Sequence, residues 1–205
     1  AHPDAEMAYA ACLDAEKNAP REGNFGAGAG ATVGKLGGPG RMMKSGQGFF
    51  AVQLGELKVG AIAAVNALGD VFDPDSGKKL AGLLTPDKSA FADSEEALYA
   101  DYSSKQNFFT GNTTLGCVVT NGKFPKAQIA KVAAMAQNGY ARAIRPVHTT
   151  ADGDSVYALS VGDIDADINV VGTLAARVMA RAVARAVLAA APACGLPAAR
   201  DFLSR

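Results

Sequence analysis

Thr113 is the residue whose position in this sequence most directly suggests covalent chemistry. It opens a β-branched run over residues 113–120 and follows the pair Gly111-Asn112. A hydroxyl there could attack the preceding carbonyl in an N-to-O acyl shift, and cleavage would then expose a free α-amine. Because an α-amine has a pKa of about 7.7 to 8.0, it can serve as the base for its own hydroxyl. Asn-Thr after a flexible glycine is also typical of an ordinary turn, so both interpretations remain open.

One charged group elsewhere in the sequence, the ammonium of Lys35, could assist such a nucleophile. A dense glycine loop over residues 23–40 contains Lys35, and such a loop can bring backbone N–H groups and one ammonium to a reacting carbonyl. Asp152 and Asp154 form an Asp-Gly-Asp motif directly before an apolar run. Taken alone, that motif favours an ordinary turn.

The glycine loop also resembles nucleotide-binding motifs, but the match is incomplete. Residues 26–31 fit the pattern G-x-G-x-x-A, yet no apolar strand precedes them and no acidic residue follows at the expected spacing. Around Gly34-Lys35, Ala29 replaces the first glycine of a phosphate-binding loop and Leu36 replaces its Ser or Thr. Nucleotide binding is therefore a minor alternative, and it predicts thermal stabilisation by nucleotide.

No metal or organic cofactor is expected. Asp163, Asp165 and Asp167 are spaced like the opening of a calcium loop, but Ile168 and Leu174 occupy the positions that need Gly and Glu. The cysteines are odd in number, widely spaced and form no C-x-x-C pair, which indicates reduced, mostly buried thiols. They are Cys12, Cys117 and Cys194.

A catalytic triad is also not expected. His148 is, apart from His2, the only histidine, and no G-x-S-x-G motif accompanies it. We therefore interpret His148 as structural.

The composition fits one domain with neither a nucleic-acid nor a membrane partner. The chain has 205 residues, and 20 Lys plus Arg balance 20 Asp plus Glu, so it lacks a basic field. Its longest apolar stretch, residues 170–192, is interrupted by Arg177, Arg181 and Arg185, whose charges would be costly in a bilayer. The first residues show no signal-peptide pattern, and we expect a cytoplasmic location of the bacterial type.

The periodicity and the turn residues predict a mixture of strands and helices, hence an α+β chain. We expect residues 49–72 to form two strands, and residues 85–107 an exposed connection with a short helix at 94–98. Asn121-Gly122 is expected to be a turn. The other predicted elements are helices over residues 7–17, 125–144 and 169–192, and strands over residues 113–120 and 155–161.

Four segments carry a resemblance that covers nearly the whole chain. They are GNFGAGAGATVGKLGG, VGAIAAVNALGDVFDPDSGKKLAG, GNTTLGCVVTN and ARAIRPVHTTADGDSVYALSVG. In their residues, order and spacing these segments resemble the self-processing DmpA-type aminopeptidases and the related nylon-oligomer hydrolases. The resemblance implies a four-layer α-β-β-α sandwich of the N-terminal-nucleophile type, assembled as a homo-oligomer of processed subunit pairs.

The resemblance also implies a cut in the backbone. In that family a precursor is divided into a larger and a smaller subunit, and the new N-terminal Ser or Thr attacks the substrate amide. Here the cut would lie between Asn112 and Thr113. Residues 1–112 would be the C-terminal part of the larger subunit and residues 113–205 the smaller one, together part of one domain. Relative to the family, a leading portion with strands and a tyrosine of the site is missing before Ala1.

Four further positions match family site residues. Lys35 matches the lysine beside the nucleophile hydroxyl, and Asn66 matches the asparagine that donates a hydrogen bond to the developing oxyanion. Asp152 and Asp154 match the acidic pair that orients the new α-amine and stabilises its protonated form.

The function implied by the resemblance is hydrolysis of linear amide bonds through an acyl-enzyme. The expected substrates are short peptides or peptide-like oligoamides with a free amino end. Endo-hydrolysis of 6-aminohexanoate oligomers is the main specific alternative, and Thr rather than Ser at position 113 looks closer to that branch. A noncatalytic structural or binding fragment is the alternative from another class.

Overall fold

The computed structural model describes residues 3–100, 102 and 111–203. Six strands follow the first helix, helices and strands are mixed in the second half, and two short 3-10 turns lie in the glycine loop. In chain order the elements are α1 (Ala5–Ala15), β1 (Thr32–Val33), β2 (Met43–Lys44), β3 (Gln47–Leu54), β4 (Leu57–Asn66), β5 (Asp70–Phe72), β6 (Lys79–Ala81), α2 (Ser94–Ala100), β7 (Thr113–Gly122), α3 (Lys126–Ala143), β8 (Ile144–Arg145), β9 (Ser155–Ile164), α4 (Ile168–Leu188) and α5 (Arg200–Leu203).

A four-stranded sheet is the centre of the fold, with the strand order β3-β4-β7-β9. The pairs β3–β4 and β4–β7 are antiparallel, whereas β7 and β9 are parallel and are connected through α3. A parallel pair needs such a crossover, because a tight turn can join only antiparallel strands. The remaining described strands form two smaller sheets, with the strand orders β1-β2 and β6-β5-β8.

One face of the large sheet is covered by α3 and α4, which also pack against each other. Small side chains on this face let the helices approach closely. A Cβ at Gly116 would collide with the Tyr140 hydroxyl and the Met179 side chain, and one at Gly139 would lie 2.5 Å from the Ala176 carbonyl oxygen. The buried core contains residues from both sides of position 113, so the two predicted subunits share it.

The opposite face of the sheet is apolar and open. Alternation along a strand sends every second side chain to this face. Six large apolar side chains there are 38 to 66% exposed: Ile62, Leu115, Val119, Tyr157, Leu159 and Val161. Soluble monomeric proteins rarely expose large contiguous apolar patches, so an apolar sheet face of this kind is unusual.

Most of the predicted elements are confirmed, including the two long helices, the short helix near residue 94 and both strands after residue 112. Residues 49–72 differ, because they contain three strands rather than two; the third is the short β5. Within the described ranges, no helix is long and apolar enough to cross a membrane. Positions 101 and 103–107 of the predicted exposed connection lie outside the described residues.

The predicted turn at Asn121-Gly122 is wrong, because β7 continues through both residues. The Asn121 side chain, which favours turns when it bonds its own backbone, instead bridges to the neighbouring β3–β4 connection. Its Oδ1 accepts the Lys58 N–H at 2.7 Å and its Nδ2 donates to the Glu56 carbonyl at 2.9 Å. The last residue of the strand, Gly122, pairs with Ile164 of β9.

The prediction of mostly buried cysteines is also wrong. Cys12 and Cys194 are exposed, Cys117 is half-buried, and all three are free thiols. Cys12 lies on α1, a helix with no buried residue, and Cys194 lies in a surface turn with a positive φ of 54°. Helical composition alone did not reveal that α1 has no face against the core.

Candidate active site

The ends of β4 and β7 bring two of the predicted site residues together. These strands are antiparallel, and the register pairs Asn66 with Thr113 on the open side of the sheet. Lys35 reaches the same corner from the glycine loop. There the backbone N–H groups of Gly34 and Lys35 donate to the carbonyls of Gly69 and Leu68 at 3.0 and 2.9 Å.

Gly34 is needed for that approach. Its φ of 71° lies in the left-handed region, and a Cβ would collide with the backbone of Gly82 and Leu83. Only glycine adopts this conformation without strain and leaves room for the second chain segment. The glycine loop therefore fixes the base of the Lys35 side chain by backbone contacts alone.

The Thr113 hydroxyl lies against the carbonyl group of the bond that is predicted to be cut. Its Oγ1 is 2.5 Å from the Asn112 carbonyl oxygen, which also accepts the Gly153 N–H at 2.9 Å. Asn112 is only 4% exposed and forms a parallel bridge with Asp152. The peptide before Thr113 is therefore fixed at its asparagine, although the sequence suggested a flexible pair.

Asn66 and Lys35 bind the preceding carbonyl instead. Asn66 Nδ2 donates to the Gly111 carbonyl at 2.6 Å, while Asn66 Oδ1 accepts Lys35 Nζ at 2.7 Å and the Thr32 N–H at 3.2 Å. Lys35 Nζ also donates to the carbonyls of Asn66 and Gly111, at 3.1 and 3.3 Å. Lys35 and Thr113, both described, share no hydrogen bond, so the direct action of Lys35 on the hydroxyl stays a prediction.

Burial has a large effect on the acidity of Lys35. It lowers the pKa of the ammonium from 10.5 to about 8, and the nearby negative charge of Asp152 offsets part of that effect. Desolvation disfavours the charged form of a lysine, which explains the direction. Near pH 8 this side chain is therefore divided between its ammonium and its neutral amine.

This lowered pKa makes the stability of the chain depend on pH. The unfolded chain keeps the Lys35 proton up to pH 10.5, whereas the folded chain loses it near pH 8. Between these values the unfolded state binds more protons, so the free energy of unfolding gains a term that rises with pH. Lys35→Met is expected to abolish this rise.

The measurement is urea unfolding between about pH 7 and about pH 10, with and without Lys35→Met. Both chains would carry Thr113→Ala, so that the backbone stays whole during the experiment. The free energy of unfolding should rise more steeply with pH when Lys35 is present. Equal slopes in the two chains would show that the Lys35 ammonium is solvated in the folded state.

The two aspartates of the Asp-Gly-Asp motif bind different parts of the site. Asp152 accepts the Thr149 hydroxyl at 2.7 Å, the Thr149 N–H at 3.2 Å and the Leu68 N–H at 3.4 Å. Asp154 accepts the N–H of Thr114, the residue after the nucleophile, at 2.8 Å. Burial raises the pKa of the Asp154 carboxyl, whose side chain is 3% exposed. Their predicted action on a new α-amine at Thr113 stays a prediction.

Sequence reasoning missed three contributors to this corner. The interpretation of His148 as structural stays a prediction, but the sequence did not reveal that its Nδ1 lies 3.1 Å from Asp154 Oδ2 or that its φ is 57°, which is unusual for a non-glycine residue. The proximity of His148 to the Asp-Gly-Asp motif in the sequence was the available signal. The other two are the Gly111 carbonyl and the Gly153 N–H, which are backbone groups without a side-chain signature.

A cleft of about 450 Å³ opens onto Lys35 and Asn66. The glycine loop and the segment that follows it form most of its wall. The cleft leaves space for a ligand beside the two polar side chains. Its lining residues are Gly30, Thr32, Lys35, Gly38, Pro39, Met42, Asn66 and Gly111.

The amino-acid sequence is similar to proteins that are named as amide hydrolases. An uncharacterized aminopeptidase of Mycobacterium leprae is 36% identical over 80% of this chain and 46% of its own length. Another from Mycobacterium tuberculosis is 34% identical over 97% of this chain and 61% of its own length. A 6-aminohexanoate-oligomer endohydrolase of Kocuria sp. is 27% identical, again over 80% and 46%. The chain thus spans about half of the length of these relatives.

Solved structures support the fold. The L-aminopeptidase D-Ala-esterase/amidase of Ochrobactrum anthropi, described as a variant of the Ntn hydrolase fold, aligns with a TM-score of 0.55 at 18% identity. The alignment covers 83% of this chain and 46% of that one. A β-aminopeptidase of Burkholderia sp. aligns with a TM-score of 0.51 at 16% identity, over 83% and 47%. The predicted α+β fold of the N-terminal-nucleophile type is thereby confirmed.

The match to a protein family extends over almost the entire chain, from residue 1 to residue 199. It agrees with the similar aminopeptidases and with the resemblance seen in the four sequence segments. This chain therefore belongs to peptidase family S58.

Proposed function

We propose that this chain carries the nucleophile of a self-processing amide-bond hydrolase and that Thr113 is that nucleophile. One observation carries the proposal: the Thr113 hydroxyl and the Gly153 N–H converge on the carbonyl oxygen of Asn112. An attacking oxygen and a hydrogen-bond donor at one carbonyl are what acyl transfer requires. The membership in family S58 and the names of the relatives add independent support.

The first reaction is the cleavage of the chain itself. The Thr113 oxygen forms a bond to the Asn112 carbonyl carbon, the bond from that carbon to the Thr113 nitrogen breaks, and the hydroxyl proton passes to that nitrogen. The product is an ester with a free amine. Water then hydrolyses the ester to the Asn112 carboxylate and restores the Thr113 hydroxyl.

The second reaction repeats the same chemistry on a substrate. The Thr113 amine takes the hydroxyl proton as the oxygen attacks the substrate carbonyl, and it returns a proton to the leaving amine. An acyl-enzyme results, which water hydrolyses with the same amine as base. Lys35 and Asp154 would act by charge and hydrogen bonds. Apart from water and the substrate, the proposed chemistry uses only groups of this chain.

For the substrate, we propose a short peptide or peptide-like oligoamide with a free amino end, bound in the cleft of about 450 Å³. The names of the mycobacterial relatives support this class. The name of the Kocuria relative supports 6-aminohexanoate oligomers as the second candidate. We further propose that processed subunit pairs associate into a homo-oligomer.

The test is a mass measurement of the purified full chain under denaturing conditions, followed by an amide-hydrolysis assay. The expected result is two fragments, 1–112 and 113–205, with threonine as the first residue of the second. Short peptides with a free amino end and 6-aminohexanoate oligomers are then compared as substrates. A chain that stays whole and still hydrolyses amides would contradict the proposal, and a whole, inactive chain would favour a noncatalytic fragment.

A further inference from the structure

Two different hydrogen-bond donors face two consecutive carbonyl groups before Thr113. The Gly153 N–H lies 2.9 Å from the Asn112 carbonyl oxygen, which belongs to the bond that would be cut. The Asn66 side-chain amide lies 2.6 Å from the carbonyl oxygen of Gly111, one residue earlier. The expected oxyanion donor, Asn66, is therefore occupied by a carbonyl that takes no part in self-cleavage.

We propose that the backbone N–H of Gly153 is the oxyanion donor of self-cleavage, and that Asn66 becomes available to a substrate only after Gly111 leaves it. The inference rests on the proposed function and assigns separate donors to its two reactions. The uncut chain then holds its own Gly111 carbonyl against Asn66 and Lys35, and the Asn66 amide must release this carbonyl before it can donate to a substrate in the adjoining cleft.

The geometry around Gly153 fits this role. As the Thr113 oxygen bonds to the Asn112 carbonyl carbon, negative charge develops on the carbonyl oxygen, which the Gly153 N–H already contacts. A donor in place before the reaction costs no reorganisation when the charge appears. A Cβ at Gly153 would lie 2.7 Å from Thr113 Oγ1, so a side chain there would displace the attacking oxygen.

The same hydrogen bond also extends the parallel pairing of β7 and β9, because Asn112 and Asp152 form a bridge just before the ladder. If this hydrogen bond is purely structural, its loss should lower the stability of the fold. The cleavage rate should then be close to that of a variant that lacks a different backbone hydrogen bond. A role in catalysis predicts a loss of rate that is specific to this N–H. Gly153→Ala cannot separate them, since it keeps the N–H and displaces the hydroxyl.

The experiment replaces one backbone N–H by oxygen. Glycolic acid is incorporated at position 153 of the full chain by cell-free translation, which converts the amide to an ester without adding a side chain. The matched control has glycolic acid at position 77, where the Gly77 N–H donates to the Asp73 carbonyl at 2.9 Å. Self-cleavage is followed by mass, which separates a cut after residue 112 from hydrolysis of the new ester.

The ester at position 153 should slow self-cleavage by about 10²-fold, as the loss of one oxyanion donor does elsewhere, and the ester at position 77 should leave the rate close to wild type. Equal rates for both esters and wild type would overturn the inference alone. A wild-type chain that stays whole would overturn the proposed function together with it.

A second measurement does not depend on cleavage or on folding of the ester. In the uncut Thr113→Ala chain, nuclear magnetic resonance can detect the coupling across a hydrogen bond between the Gly153 nitrogen and the Asn112 carbonyl carbon. The coupling should be present. Its absence would overturn the inference even if the ester variant failed to fold.

Discussion

Replacing Thr113 with alanine is expected to leave one uncut chain without amide-hydrolase activity. The variant keeps the strand but has neither the attacking oxygen nor, in the absence of cleavage, the free amine that would serve as base. Loss of a nucleophile in hydrolases of this kind costs about 10⁴-fold or more in rate. Mass under denaturing conditions and release of amine from a short peptide are the two readouts.

Two variants control this experiment. Thr113→Ser keeps a hydroxyl at the same position and should still cleave itself and hydrolyse amides. Thr114→Val changes the neighbouring residue, whose buried Oγ1 has no hydrogen-bond partner in the described part of the chain. It should behave like wild type. An alanine variant at position 113 that still divides after residue 112 would refute Thr113 as the nucleophile.

The second large effect is expected for Asn66→Ala in protein that has already cleaved itself. Once Gly111 has left, the Asn66 amide is the side-chain donor nearest to Thr113 along the paired strands. Its loss should lower kcat for amide hydrolysis by about 10²- to 10³-fold and change KM little, because the bond is strongest in the transition state. Self-cleavage should slow less, since among the described residues the Asn66 amide donates to the Gly111 carbonyl, whereas the Asn112 carbonyl accepts Thr113 and Gly153.

Asn121→Ala is the matched control, because this asparagine lies on β7 at the opposite end of the β4–β7 pair. Like Asn66, it bridges neighbouring backbone through both ends of its side-chain amide. Its replacement should lower the free energy of unfolding by about 1 kcal/mol per lost bond and leave kcat unchanged. Equal losses of kcat in the two variants would mean that Asn66 acts only through the fold.

The long elements could be predicted from the sequence because their signals are repeated many times. Helices α3 and α4 carry apolar residues at helical spacing over several turns, and β7 begins with a β-branched run over residues 113–120. The short strands β1, β2, β5, β6 and β8 have only two or three residues each. Periodicity cannot be recognised over that length, and these strands exist only through their pairing partners.

The resemblance named candidate side chains for the site, but it could not predict their contacts. Lys35, Asn66 and Thr113 do converge, yet Lys35 binds Asn66 and Gly111 rather than the hydroxyl. The sequence could not indicate the backbone contacts. Almost every residue has a carbonyl and an N–H, so those of Gly111 and Gly153 carry no signature in the sequence. Their importance depends on the positions that these two groups occupy in the folded chain, and no residue type encodes those positions.

The position of β7 between β4 and β9 has a consequence for the products of cleavage. A break before β7 would leave this strand bonded on one side to the first fragment and on the other to its own, while α4 would still cover β3 and β4. The nicked molecule should therefore elute from a gel-filtration column at the volume of the unbroken one. Its halves would separate only when the whole sheet melts.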